Sequence, residues 1–505
     1  MTEPTIASRG PELVFALVSP IGTPIDSLRR DLEEGLHSYG YATEWLKLSG
    51  LLTDQAERLG LGPVPVVPEH QRAEKLMEAG DRLCEVSQSA AAVALEAVNE
   101  IRRKRDERAL KSDVEAADGS LAVPRQAWIL DSLKRPAEVM QLRLIYGDHL
   151  FVISAQAGRQ LRENTLREKI APYNVSLRDE NLDDVVNRLV TRDLDEEKHG
   201  GYGQNILKTF PMADVFIDVD EAQPENPGVP QQVRRLLDLI FGNPNYPVPT
   251  DEEYGMQLAF LASTRSPELG LKVGAAVTRG TTVVSLGANA HPTKLGSSPA
   301  YDTSSADIRH LILDTLNRLM EPALGNEAVE RLVKEPDLFV DELLRGPLKG
   351  SRIVSLTEFQ PTVHAEMAAV LDAVSQGQSV AGAIVYVTTY PCHGCAKHLL
   401  RLALPVKYIE PYPKGRAQAM YGGDVEDSFE PFTGVAPRRY HQLFTATEDR
   451  KDPWGVRRSW SAAEKLGAEP NVDPLLDHAG INVREQFALA QLAGSGGPID
   501  TSPAG

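Results

Sequence analysis

The chain of 505 residues is long enough for two or three domains, and its 42% hydrophobic and 25% charged residues are ordinary for a globular protein. Its 3 cysteines are too few for a disulfide framework, and no apolar run or leader sequence predicts a membrane span or secretion, so we expect a cytoplasmic protein. A formal net charge of −18 repels phosphate backbones, which argues against extensive nucleic-acid binding unless a local basic groove is present.

The first 220 or so residues alternate between apolar strands and helical segments. A buried strand is predicted at residues 12–18, followed by the turn SPIGTPID and a helix from Ser27 to Gly40. A long helix is predicted over residues 70–110, with Gly80 as its candidate interruption. Further strands are predicted at AWILDSL, HLFVISA and MADVFIDVD. This alternation predicts a parallel sheet wrapped by helices.

A proline-rich stretch between Glu221 and Asp251 marks the predicted domain boundary. A second α/β pattern follows it, which predicts a further domain with a helical insertion. We therefore predict an N-terminal domain at 1–230, a linker at 231–250, a second domain at 251–445 with an insertion at 292–360, and a C-terminal extension at 446–505 that ends in a disordered tail.

The second domain is predicted to carry a metal site. Cys392 and Cys395 lie three residues apart, so their sulfurs share one face of a helix whose first residue is predicted to be Pro391. Thiolates at a helix N-terminus are easier to deprotonate because the helix dipole favours negative charge there. Two ligands do not make a site, however, so further ligands must come from elsewhere in the chain.

The segment TVHAEMAAV supplies the third candidate ligand, His364, and a carboxylate, Glu366. Two residues subtend about 200° on a regular helix, so this pair can converge on one point only at the start of a helix. With His364 a zinc ion has three protein ligands, which is typical of catalytic zinc with one position kept for water. Cys84 lies in the other predicted domain and is not expected to be a fourth ligand. His393 and His398 are nearer in sequence, and either one is a candidate fourth ligand.

The order His-x-Glu followed by Pro-Cys-x-x-Cys resembles the signature of zinc-dependent cytidine and nucleobase deaminases. The resemblance implies that water activated by zinc attacks C4 of a cytosine ring. It implies that Glu366 is the catalytic residue, which takes the proton of that water, protonates N3 and passes a proton to departing ammonia.

Residues upstream of the motif are similar to the opening of deoxycytidylate deaminases, in the stretches RSPELGLKVGAAV and VVSLGANAHP. By this resemblance Asn289 contacts the sugar of the substrate; the alternative is an asparagine that holds the turn after a strand. Lys414 and Arg416 follow another predicted strand and are candidate phosphate contacts, with a solvated loop pair as the alternative.

The N-terminal stretch LVFALVSPIGTPIDSL resembles a phosphate-binding P-loop that lacks its working residues. Aligned on Gly22, the lysine and hydroxyl positions of the P-loop motif hold Ile25 and Asp26. Ile25 contributes no charge and Asp26 repels phosphate. Phosphoryl transfer is therefore not expected, although the fold is expected to remain.

The combination resembles the bacterial anti-phage dCTP deaminases, in which a degenerate P-loop kinase-like domain is fused to a cytidine deaminase domain. The implied fold class is α/β, with an N-terminal P-loop-like parallel sheet and a C-terminal three-layer α/β/α domain. The resemblance implies Zn²⁺ as cofactor, free deoxycytidine nucleotides as substrates (dCTP, with dCMP open as a second), and depletion of dCTP in phage defence.

We also expect a homo-oligomer and no membrane partner, and the sequence leaves open whether an RNA or a protein inhibits the enzyme. Two other functions stay open. One is deamination of a base within a nucleic acid, which the acidic composition disfavours. The other is a non-catalytic nucleotide sensor with a structural zinc, in which Glu366 has no purpose.

Overall fold

The computed structural model describes residues 10–112, 123–172, 181–194, 196, 201–220, 227–244, 248–292, 303–319, 326–348, 351–356, 361–409, 416–445 and 449–494. The chain divides into two compact units. The first unit comprises residues 1–249 and 433–505, and the second unit comprises residues 250–432. Within the described ranges, no helix has the length and apolar character needed to cross a bilayer.

The first unit is built from alternating strands and helices, as the sequence predicts. Its elements up to residue 249 are β1 (Leu13–Val18), α1 (Asp26–Ser38), β2 (Ala42–Lys47), α2 (Leu48–Arg58), α3 (Glu69–Val86), α4 (Ala92–Ser112), β3 (Gln126–Leu133), α5 (Pro136–Tyr146), β4 (Leu150–Gln156), α6 (Arg159–Ile170), α7 (Leu182–Leu194), α8 (Ile206–Thr209), β5 (Val215–Asp218) and α9 (Val229–Ile240).

The second unit begins with a helix and two antiparallel strands. Its elements are α10 (Asp251–Ser263), β6 (Gly274–Arg279), β7 (Thr282–Ala288), α11 (Thr303–Leu319), α12 (Asn326–Lys334), α13 (Pro336–Arg345), α14 (Ala365–Ser375), β8 (Ile384–Val387), α15 (His393–Arg401), β9 (Val406–Tyr408), α16 (Ala417–Tyr421), α17 (Gly423–Ser428) and β10 (Phe429–Pro431). The chain then returns to the first unit with β11 (Gly434–Val435), α18 (Pro437–Phe444), α19 (Ala462–Gly467) and α20 (His478–Gly494).

The sheet of the first unit has the order β11-β5-β4-β1-β3-β2. All neighbours in it are parallel except β11, which runs antiparallel to β5. Every residue of β1 is buried, as expected for a central strand covered on both faces. Leu13, Phe15 and Leu17 of β1 pack in one core with residues of α1 and α9. The predicted parallel sheet is therefore present.

The sheet of the second unit has the order β10-β9-β8-β6-β7, with β6 antiparallel to both neighbours and the other pairs parallel. Two glycines let helices approach its opposite faces. A Cβ at Gly274 would lie 2.0 Å from the Ala259 carbonyl oxygen of α10, and one at Gly287 would lie 2.3 Å from the Ala365 carbonyl oxygen of α14. Gly287 pairs with Ala275, the neighbour of Gly274, so the two glycines face opposite sides.

Three predicted boundaries need correction. The predicted linker at 231–250 contains most of α9, a helix that packs in the core of the first unit. Residues 433–445, predicted to close the second domain, belong to the first unit because β11 adds a strand to its sheet. The predicted long helix over 70–110 is two helices, and it breaks at Ser87–Ala91, whereas Gly80 lies inside α3.

The C-terminal extension contains the helix α20 before its predicted disordered tail. In α20, Glu485 is fully buried and accepts hydrogen bonds from Arg105 at 2.8 Å and from the Tyr146 hydroxyl at 2.9 Å. The helix is thus fixed to the first unit. The predicted disordered tail begins at Leu492, and all but its first three residues lie outside the described residues. The predicted insertion at 292–360 is helical where it is described, in α11, α12 and α13.

Candidate metal centre and active site

The beginnings of two helices bring the predicted metal ligands together. His364 is the extended residue directly before α14, and Cys392 is the extended residue directly before α15. The Cys392 sulfur accepts a hydrogen bond from the backbone N–H of Cys395 at 3.4 Å, so Cys392 itself caps α15. Pro391, predicted to be the first helical residue, therefore lies one position before the cap.

The three side chains converge closely. The Nδ1 atom of His364 lies 3.3 Å from the Cys392 sulfur and 3.5 Å from the Cys395 sulfur. All three ligand atoms lie within 4.8 Å of one another, and in the described part of the chain no other group of histidine, cysteine and acidic residues does so. His393 and His398, considered as fourth ligands, are not part of this group. Cys84 is buried in the first unit.

The donor set fits a zinc ion. In a tetrahedral shell with ordinary bond lengths, nitrogen and sulfur ligands of zinc are ~3.6 Å apart, close to the separations in this cluster. Two thiolates and one imidazole leave one coordination position for a non-protein ligand, as in catalytic zinc sites.

The protonation of the two thiols also suits a cation. The hydrogen bond from Cys395 lowers the pKa of the Cys392 thiol to about 4, and the neighbouring His364 acts in the same direction. Its hydrogen bond to Cys392, together with burial, raises the pKa of Cys395 above its usual value. Both thiols must be ionised to bind a divalent cation, and the lowered pKa of Cys392 favours this.

Glu366 is the second residue of α14 and is 2% exposed. It lines the same cavity as His364 and Cys392 and interacts with the Cys395 thiol, so it lies beside the metal cluster. Burial raises the pKa of Glu366 above its usual value. The His-x-Glu spacing therefore lets both side chains reach the cluster, because the histidine precedes the helix while the carboxylate lies in its first turn.

A cavity of about 340 Å³ opens onto this cluster. His364, Glu366 and Cys392 line one part of it, and Tyr390, Thr362 and Leu271 line others. This volume lies at the lower end of the range for small-molecule sites. The cavity can hold a planar ring next to the metal cluster and Glu366.

The cavity contains a second carboxylate that the sequence analysis missed. Glu268 is 7% exposed, lines the cavity and accepts a hydrogen bond from the Thr362 hydroxyl at 3.2 Å. A buried carboxylate facing a ligand cavity is an acceptor for a hydroxyl or amino group. Sequence offers little signal for Glu268, because a single acidic residue in a loop is usually solvated.

Asn289, the predicted sugar contact, lines the cavity directly after β7. Its side-chain oxygen accepts a hydrogen bond from the Val273 N–H at 2.7 Å, and its amide nitrogen donates to the Leu271 carbonyl at 3.0 Å. These bonds hold the segment before β6, whereas the alternative considered from the sequence is the turn after the strand that contains Asn289. Arg416 lies just before α16 and is not among the cavity-lining residues, and Lys414 lies outside the described residues.

The loop after β1, which resembles a P-loop, is occupied by the protein's own carboxylate. The backbone N–H of Ile21 donates to Asp193 at 2.7 Å, and the ammonium of Lys134 lies 2.8 Å from the same carboxylate. Gly22 has φ of +85°, and a Cβ there would lie 2.4 Å from the Arg162 carbonyl oxygen. Gly22 is thus required by packing against α6, whether or not a phosphate binds.

Residues 249–409 match the zinc-binding region of cytidine and deoxycytidylate deaminases. The deoxycytidylate deaminase of Enterobacteria phage T2 is 26% identical over 162 residues, which are 32% of this chain and 80% of the phage protein. That of Enterobacteria phage T4 is 28% identical over 165 residues, 32% of this chain and 78% of the phage protein.

Two solved structures are also similar. The dCMP deaminase from cyanophage S-TIM5, in complex with dCMP and dUMP, has 14% sequence identity and a TM-score of 0.19, and the match covers 35% of this chain and 93% of that chain. A diaminohydroxyphosphoribosylaminopyrimidine deaminase/reductase from Thermotoga maritima has 15% identity and a TM-score of 0.19, covering 41% of this chain and 49% of that chain.

The matched region contains the complete metal cluster, Glu366 and the cavity. The chain is therefore a zinc-dependent deaminase. More narrowly, its second unit contains a deaminase domain of the cytidine and deoxycytidylate type, with zinc as its cofactor.

Proposed function

We propose that this protein hydrolytically deaminates free deoxycytidine nucleotides. One observation carries the proposal: the cluster of His364, Cys392 and Cys395 lies beside the buried Glu366 at a cavity large enough for a pyrimidine. A purely structural zinc site has no need of a buried carboxylate and an open cavity next to it. A non-catalytic sensor leaves both features unexplained.

In the proposed mechanism, Glu366 moves the protons. Zinc, bound by His364, Cys392 and Cys395, supplies activation of water near neutral pH. Glu366 accepts a proton from the attacking water and donates it to N3 of the cytosine ring. It then takes the second proton from the new hydroxyl at C4 and transfers it to the departing amino group. Cytosine and water thus become uracil and ammonia, with the carboxylate regenerated.

For the substrate we propose dCTP, with dCMP as a second substrate. The relatives from phages T2 and T4 are deoxycytidylate deaminases, which supports a deoxycytidine nucleotide. Triphosphate preference and a role in depleting dCTP during phage infection rest on the resemblance to anti-phage dCTP deaminases. Asn289 stays our proposed sugar contact, through the second amide hydrogen and the second oxygen lone pair that its two backbone bonds leave. Lys414 and Arg416 stay proposed phosphate contacts.

A substrate panel tests this proposal. Purified protein is expected to release ammonia from dCTP, and from dCMP, with formation of the matching uracil nucleotide. Cytidine nucleotides with a ribose and single-stranded DNA containing cytosine serve as comparisons, measured by chromatography of the products. Deamination of single-stranded DNA or RNA with free nucleotides untouched would instead support action on nucleic acid.

We also propose that the first unit has no kinase activity. A P-loop uses its backbone N–H groups and its lysine to hold phosphates. Here Asp193 accepts the Ile21 N–H, and Ile25 stands where the lysine is required. Asp26, at the first residue of α1, adds a negative charge where the start of a helix otherwise favours anions. A phosphate in this loop therefore meets two carboxylates and no P-loop lysine.

Purified protein is accordingly expected to show no ATP hydrolysis above background. The single change Ile25→Lys is expected not to create it, because Asp193 still occupies the loop. Phosphate release from ATP is the measurement, with a functional nucleotide kinase as positive control. Hydrolysis that disappears when Gly22 or Asp26 is substituted would show that the loop is active.

A further inference from the structure

We propose that the first unit binds a nucleotide in a second cavity, with the base at Asp131 and the phosphates at lysines outside the P-loop-like loop. This cavity has a volume of about 330 Å³ and lies at the carboxyl ends of β1, β2 and β3. Ligands of open parallel sheets bind at this edge of the sheet. The inference is independent of the deaminase activity, since every residue that lines the cavity belongs to the first unit.

Strand β3 has a bulge next to the cavity. Ala16 pairs with Leu130 and Val18 pairs with Leu133, so β3 contains one extra residue at this point. Such a bulge redirects side chains and is frequent next to binding sites. Ser132, within the bulge, has φ of +78°, a conformation that residues with a side chain rarely adopt. Asp131 and Ser132 both line the cavity.

Three buried polar atoms around the cavity lack a hydrogen-bond partner within the described ranges. They are Oδ1 of Asp131, Nε1 of Trp45 and Oε1 of Gln204, and all three side chains line the cavity. Buried polar groups are normally hydrogen-bonded, so three exceptions at one cavity indicate a ligand that supplies partners. Asp131 in particular can accept hydrogen bonds from the amino or ring N–H groups of a base.

Two lysines at the cavity are the proposed phosphate contacts. Lys47 is the cross-strand partner of Asp131, and Lys169 also lines the cavity. Both lysines are exposed, and the charge of Lys47 also attracts Asp131, so a phosphate can reach both ammonium groups. Glu69 and Asp26 line the cavity too, but Glu69 lies 3.7 Å from Arg72, which offsets its charge.

The remaining wall suits a base. Leu48, Leu52, Leu76 and Met77 line the cavity. The half-buried Trp45 lines it too, with the Arg29 guanidinium 4.6 Å from the centre of its ring. A planar base has apolar faces for this wall and a polar edge for Asp131. Because Asp193 occupies the P-loop-like loop, the phosphates must lie at Lys47 and Lys169, unlike those of a P-loop nucleotide.

Equilibrium binding of dATP, dGTP, dCTP and dTTP to the full chain, by calorimetry and by Trp fluorescence, tests the proposal. At least one of dATP, dGTP and dTTP, which are not proposed substrates of the deaminase cavity, is expected to bind, and Asp131→Asn and Lys47→Met are expected to weaken that binding by about tenfold or more. The matched controls, Asp54→Asn and Lys208→Met, change exposed residues of the same unit outside the cavity and should bind normally. The fluorescence change should be lost in Trp45→Phe.

Thermal melting of each variant shows whether it is folded, and the melting temperature of Lys47→Met, at an exposed position, should be unchanged. The proposal is overturned if no nucleotide binds, if binding is indifferent to both Asp131→Asn and Lys47→Met in folded protein, or if inorganic triphosphate competes as well as the nucleotide. The last result would mean that only an anion is recognised. If the protein does not deaminate nucleotides, this test can still be carried out, because equilibrium binding does not depend on turnover.

Discussion

Replacing Glu366 with alanine is expected to reduce deamination by about 10²–10⁴-fold, the usual contribution of general acid–base catalysis, while zinc stays bound. Glu366 is buried against the metal cluster but is not one of its three ligands. The substitution therefore removes the proton carrier and leaves the ligand atoms in place. Steady-state deamination of dCTP and dCMP, with zinc content measured on the same preparation, provides the comparison.

Two further variants sharpen the result. Glu366→Gln keeps the size of the side chain, but its amide cannot carry the proton. This variant is therefore expected to lose activity to the same extent as Glu366→Ala. Asp372→Asn changes another acidic residue of α14 that does not line the cavity, and it is expected to stay active. Turnover of Glu366→Ala near the wild-type rate would refute the catalytic role.

Removing a metal ligand is expected to abolish activity together with zinc binding. Purified protein should contain one zinc per chain, whereas His364→Ala and Cys392→Ala should lose most of it, because two protein ligands hold zinc far more weakly than three. The first turns of α14 and α15 should also lose stability, since both begin at the cluster. Metal analysis and thermal unfolding are the measurements.

The chain supplies matched controls for this experiment. Cys84→Ala removes the cysteine of the first unit. His398→Ala removes an exposed histidine of α15, three residues after Cys395. Both are expected to keep zinc and activity. A zinc shell closed by a fourth protein ligand such as His393 would contradict the proposed site, because it leaves no position for water.

The grouping of the three metal ligands follows from local spacing in the sequence. Cys392 and Cys395 are local neighbours whose spacing sets their relation on a helix, and the His-x-Glu spacing can converge only at a helix start. Both helices begin where those patterns require. The sequence likewise determined the alternation of strands and helices in both units, since buried parallel strands such as β1 are continuous apolar runs. Mixed α/β architecture was thereby predicted correctly.

Strand β2 was missed because its residues are mostly half-buried or exposed, as is usual at the edge of a sheet, and give a weak apolar signal. The return of residues 433–505 to the first unit was missed for a different reason. Pairing of β11 with β5 joins segments far apart in sequence, and a two-residue strand has no periodicity of its own.

The contacts of the polar side chains, in contrast, depend on the fold of each unit. Glu268 becomes part of the zinc cavity through Thr362, Asn289 is occupied by the backbone before β6, and Asp193 closes the loop after β1. Each of these contacts spans many residues of sequence, so its partner depends on the path of the chain through the whole unit. Local spacing fixes the direction of a side chain on its own helix or strand, but it cannot specify which distant group that side chain meets.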